Sequence, residues 1–148
     1  MPTLLERLSA ALAEAMTVVE EPDGALTVSF EGVVASLRVV TIAEGLEMVS
    51  LTQPLAWDLP LTNKTRERVA EHASGTLLGT VALVEKPVPT ATNGSSAATA
   101  TRRSPAKKVA DVMLRYNFPG AGLSDDALRT LILMVLAAGA DVRRALIS

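Results

Sequence analysis

The stretch VADVMLRYNFPGAGLSDDALRTLILMVLAAGADVRRALIS, Val109 to Ser148, decides the fold class. Its opening residues alternate: Val112, Leu114, Tyr116 and Phe118 fall on one face, and Asp111, Arg115 and Asn117 on the other. A period of two predicts a strand over Val109–Phe118 with one dry and one wet side. Pro119-Gly120 then turns the chain, and Ser124 is placed to cap a helix. Asp125 and Asp126 occupy its first turn, where the positive end of the helix dipole favours carboxylates. Leu128, Leu131, Ile132, Val135 and Leu136 recur at helical spacing. Gly139 is expected to end this helix, with Asp141 capping a short last turn, Val142 to Ile147.

Working back from that anchor, each earlier segment takes a type. Thr3 with Glu6 makes a capping box before Leu5, Leu8 and Leu12, so a first helix is predicted over residues 3–15. Glu20-Glu21-Pro22-Asp23-Gly24 is turn chemistry and sets a hairpin between Met16–Glu20 and Ala25–Phe30. Val33–Ile42 and, after Glu44-Gly45, Leu46–Leu51 read as further strands of an antiparallel meander. Pro54 and Pro60 are expected to bracket a loop holding Trp57. Thr62 or Asn63 caps a polar helix from Lys64 to Ala73, which Gly75 would end in a left-handed conformation. Leu77–Glu85 reads as the strand before Val109–Phe118.

The expected architecture is therefore α+β: a twisted antiparallel five-stranded sheet with helices mainly on one face, in the order α-βββ-α-ββ-α. At 148 residues this is a single domain, 1–148, with chain enough to bury a core. It is interrupted by 86–108, KPVPTATNGSSAATATRRSPAKK, a stretch without periodicity that reads as a flexible basic insertion. Lys86, Arg102, Arg103, Lys107 and Lys108 give that insertion +5, against −2 for the whole chain, so the remainder carries −7.

Composition narrows the chemistry. There is no cysteine for a disulfide or thiolate site, and the one histidine, His72, has no second ligand at metal-binding spacing. Glu20-Glu21 and Asp125-Asp126 are adjacent carboxylates, and adjacent side chains diverge on strands and helices alike. No phosphate-binding glycine loop and no nucleophile elbow occurs. Catalysis is not expected, and neither a metal nor another cofactor is called for. Aromatic residues are 3% of the chain, too few for a stacking platform, and the acidic body disfavours nucleic acid. The N-terminus lacks the basic start and unbroken apolar run of a secretory signal, and no apolar run is long enough to span a bilayer. The expectation is a cytoplasmic protein with no membrane contact.

Two runs, Val109–Leu131 and AGADVRRAL at 138–146, carry a resemblance. With the order of elements, they resemble the type III secretion chaperone-like superfamily, including the bacterial YbjN-like proteins. The resemblance implies a non-enzymatic bacterial protein that holds or regulates another protein, often as a homodimer. Two departures are visible. The middle helix, the usual dimer face in the secretion chaperones, offers only Val69, Ala70 and Ala73 as apolar residues, and the long basic insertion replaces a short hairpin.

The expected role is a non-catalytic protein-binding module that buries an apolar segment of an unidentified partner. Leu4, Leu8, Ala11, Leu133 and Met134 are candidate contacts, with Trp57 as a possible anchor because tryptophan is favoured at binding hot spots. The alternative is a regulatory protein touching nucleic acid or an acidic partner through the segment 102–108, with Arg102, Arg103, Lys107 and Lys108 as the charge contacts.

Overall fold

The computed structural model describes residues 2–87 and 108–147. Three helices and six strands follow one another: α1 (Leu4–Ala13), β1 (Thr17–Glu20), β2 (Leu26–Phe30), β3 (Val33–Ala43), β4 (Leu46–Pro60), α2 (Asn63–Gly75), β5 (Thr80–Pro87), β6 (Lys108–Pro119) and α3 (Asp125–Ile147). All neighbouring strands are antiparallel, and the open sheet runs β1-β2-β3-β4-β6-β5. The α+β class is as expected, but the sheet has six strands where five were predicted. The strand left out of that count is β1, the first arm of the hairpin expected at Met16–Glu20, whose Thr17–Glu20 pair in full with Ser29–Leu26. The order before α2 is therefore four strands.

The registers align one side of every long strand. Val28 faces Ala35, Leu37 faces Leu51, Gln53 faces Leu114, and Leu114 faces Val81, all of them buried. Onto this side pack Leu4, Leu8, Ala11 and Leu12 of α1, Leu128, Ile132, Val135, Leu136, Val142 and Leu146 of α3, and Val69 of α2. Period-two apolarity on the strands and 3.6-period apolarity on the helices thus meet in one aliphatic core.

Two arginines fasten α1 to α3. Arg7 donates from Nε to Asp125 (3.0 Å), from one terminal nitrogen to the Ala121 carbonyl (3.1 Å), and from the other to the Leu123 carbonyl. Arg129 donates to the Ala11 carbonyl at the end of α1 (3.0 Å), to Glu14 (2.8 Å) and to Asp126 (2.9 Å). The last carbonyls of a helix lack intrahelical donors, so Arg129 supplies one where α1 stops.

β5 begins at Thr80 where Leu77 was expected, and three further boundaries depart from expectation. β4 does not stop at Leu51; it runs through Pro54, Trp57 and Pro60. The last pairing to β3 is Ser36 with Thr52, so from Gln53 onward β4 pairs with β6 alone, and Pro54 interrupts no second ladder. Gly139 does not end α3, because it faces the sheet: a Cβ there would lie 2.4 Å from Gln53 Oε1. Glycine lets the helix approach β4 at this point, and α3 continues because Val142 and Leu146 are still buried. α2 ends without a left-handed glycine: Gly75 is its last residue, and extended Thr76 closes it, its hydroxyl donating to the His72 carbonyl (2.7 Å).

The insertion read as 86–108 has narrower limits in the fold. Lys86 and Pro87 belong to β5 and Lys108 to β6, paired across as Lys86–Val109 and Pro87–Lys108. Its interior, with Arg102, Arg103 and Lys107, lies outside the described residues.

Candidate interaction surface

The other side of the sheet carries no helix among the described residues. Alternation places Thr27, Ser29, Ser36, Arg38, Ser50, Thr52, Arg115 and Asn117 there, as a half-buried antiparallel sheet requires. Val19, Val34 and Val84 interrupt this polar face singly, and at two further places exposed apolar side chains coincide with an irregular or uncovered backbone.

The first is the β3–β4 hairpin. β2 ends its pairing with β3 at Leu26 opposite Leu37, whereas β3 continues for six residues, Arg38–Ala43, against β4 only. At roughly 3.3 Å per residue this makes an arm about 20 Å long beyond β2. On it Val40 is 41% exposed, Ile42 60% and Leu46 41%. A register shift between Thr41 and Ala43 leaves Ile42 as the extra residue of a bulge. At the arm's base, Asp23 in the β1–β2 turn accepts from Arg38 at 2.5 Å. That guanidinium, followed by the N–H of Ala25, holds the Asp23 carboxyl below the usual aspartate range.

The second is a corner built by two irregularities in β4. Pairing with β6 passes from Pro54–Met113 to Ala56–Val112 and then to Leu59–Ala110, so Trp57 and Asp58 stand opposite the single residue Asp111. Such a bulge re-aims side chains. Asp58 adopts a left-handed backbone, φ 54°, which costs a non-glycine residue on the order of 1 kcal/mol. Asp111 offsets this: its Oδ1 accepts from the Asp58 N–H at 3.0 Å and from Lys86 Nζ at 2.9 Å. Lys86 also reaches Asp58 Oδ1 at 2.6 Å, and its ammonium sits 5.7 Å from the centre of the Trp57 ring. Trp57, 58% exposed, is thereby held outward beside a fixed charge.

The charge states of this corner follow from its contacts. Burial pushes the Asp111 carboxyl up, but the Asp58 N–H and the Lys86 ammonium outweigh it, leaving Asp111 below the ordinary aspartate range. Lys86 is raised above the ordinary lysine range by hydrogen bonding to Asp58, then to Asp111. Both shifts move away from neutrality. With both groups held in their charged forms, this carboxylate–lysine set ties the bulge of β4 to β5 and β6.

The residues singled out from the sequence are dispersed. Leu4, Leu8 and Ala11 lie in the core between α1, α3 and the sheet, Leu8 with no exposed surface, and are not available to a partner of the folded chain. Leu133 is partly buried; Met134 is half exposed on the outer side of α3. The apolar excess on α3 therefore goes mostly into the core. Among the described residues of the set, Trp57 alone stands on the uncovered side of the sheet. Lys108 opens β6, exposed, with Nζ 4.0 Å from Glu85. His72, with Glu71 and Asp141, lines a shallow groove between α2 and α3. Among the described residues no three His, Cys, Asp or Glu side chains are arranged to hold a metal ion, and no helix is long and apolar enough to cross a membrane.

Sequence reasoning missed the arm. Val40 and Ile42 read only as positions of the β-branched run Val33–Ile42, and it is the short reach of β2 that leaves them uncovered among the described residues. No protein-family model matches this chain, and no curated protein matches it either.

Proposed function

We propose that this chain is a non-catalytic protein-binding module that works through the uncovered face of its sheet. The observation that carries the reading is the position of most of the exposed apolar residues. Val19, Val34, Val40, Leu46 and Val84 fall on that face by alternation, Ile42 stands on the same arm and Trp57 at the corner, whereas Leu77, Met134 and Ile147 are exposed singly elsewhere. Exposed apolar side chains gathered on one face mark an interaction surface more often than scattered ones do. The bulge at Trp57 and Asp58 supports the reading, since it spends strain on holding a large amphipathic ring outward.

The test is affinity capture from native cell extract with four forms of the full chain: wild type, Val40→Ser with Ile42→Ser, Trp57→Ala, and a form with Arg102, Arg103, Lys107 and Lys108 replaced by Gln. One stoichiometric protein, retained by the wild type and the Gln form and lost from a sheet-face variant, is the expected result. Capture that vanishes only in the Gln form, or that consists of nucleic acid, would replace this reading with the charge-contact alternative.

A further inference from the structure

We propose that the outer edge of β3, Arg38–Ala43, binds an extended basic segment of a partner protein by strand addition. The proposal rests on the protein-binding reading above and names its site and its partner chemistry.

The first ground is backbone. An edge strand presents unpaired N–H and C=O groups, and proteins usually blunt such edges with lysine, proline, a bulge or a covering element. Among the described residues, β3 has no partner on the β2 side beyond Leu37, and Arg38 and Val40–Ala43 are exposed while Val39 is partly buried. Neither lysine nor proline occurs in Arg38–Ala43. The bulge at Ile42 is the one blunting device, and it lies near the far end. Arg38–Thr41 keep a regular register with Ser50–Glu47, so a straight edge remains. Val39, Val40, Thr41 and Ile42 are all β-branched, which suits an added strand.

The second ground is charge. Glu20, Glu21 and Asp23 lie in or beside the turn at the arm's base, and Glu44 and Glu47 lie at its tip. Among the described residues, one cation stands against these five carboxylates: Arg38, already engaged by Asp23. Edge-to-edge pairing with a second copy would bring two such acidic ends together, and like charges disfavour it. A segment with apolar alternation in the middle and lysine or arginine at both ends meets the edge with its apolar residues and the acidic ends with its charges.

Three capped peptides test this on the full chain, by fluorescence anisotropy and by backbone amide hydrogen exchange. KKVTVTVKK combines alternation with basic ends, EEVTVTVEE reverses the charge, and TRRSPAKK, residues 101–108 of this chain, is basic with a proline that breaks the ladder. The expected result is that KKVTVTVKK binds and slows exchange within Val39–Ala43. The variant E21K/E44K should weaken it by about tenfold, the scale of reversing two exposed charges. Equal binding by EEVTVTVEE or TRRSPAKK, protection elsewhere, no binding by any peptide, or self-association of the free chain through this edge would each overturn the proposal. None of these outcomes decides the protein-binding reading, which stands or falls on the capture experiment.

Discussion

Gly139 and Gln53 show how one contact sets the distance between helix and sheet. The Gln53 amide is buried, donates from Nε2 to the Leu136 carbonyl at 3.4 Å, and leaves Oε1 without a partner among the described residues. Gly139→Ala would gain roughly 1 kcal/mol of helix propensity but drive a methyl into that amide. The clash should win, lowering stability by about 1–3 kcal/mol in urea unfolding. In a Gln53→Ala background the same substitution should cost less, because the two side chains compete for one space. At the Trp57 corner the linkage has two signs. Asp111, lowered in the folded state, contributes stability above its ordinary pKa of about 3.9, lost as pH falls through the folded value. Lys86, raised, contributes below its ordinary pKa of about 10.4, and that contribution is lost as pH rises through the folded value. Urea midpoints should show neither effect between about pH 5 and 9, and Asp111→Asn should flatten the acid limb between about pH 5 and 2. Neither residue was legible as part of a site. Asp111 reads as one more wet position of β6, and Lys86 as the first residue of a linker.

Among the elements, α1 and α3 were the most legible, because capping and a 3.6-residue stripe act over a few turns and need no distant partner. The capping box of Thr3 and Glu6 is present, and the Ser124 hydroxyl accepts from the Ala127 N–H at 3.1 Å. How the two helices meet was not legible, since Arg7 and Arg129 reach across more than a hundred residues of sequence. Arg129→Ala should cost about 1–2 kcal/mol, read as a shift of the urea midpoint, because it strips a donor from the end of α1 along with two exposed ion pairs. The β3–β4 arm makes the contrasting prediction. Val40→Thr with Ile42→Thr should change stability by less than about 0.5 kcal/mol per site. Leu37→Ala, five residues before Ile42 on the same strand but wholly buried, should cost about 2–5 kcal/mol. A large effect of the arm substitutions would mean that those side chains are core.

At the scale of the molecule, the fold has a dry side built almost wholly from aliphatic residues and a wet side interrupted by single valines, by the β3–β4 arm and by the Trp57 corner. Its single tryptophan lies on the surface, so acrylamide should quench native fluorescence nearly as well as unfolded, while far-ultraviolet circular dichroism reports the cooperative transition. Strong protection of Trp57 in the native chain would place that corner inside an assembly. The α+β class, the antiparallel pairing within each hairpin and the core-facing residues of β6 and α3 followed from the sequence alone, because side-chain period and turn chemistry are local. Several features needed the tertiary structure: the passage of β4 through its prolines, the continuation of α3 past Gly139, and the exposure of Val40 and Ile42. Each depends on which strand lies alongside and where its pairing stops, and an alternating or apolar run reads the same whether its outer edge is covered or bare.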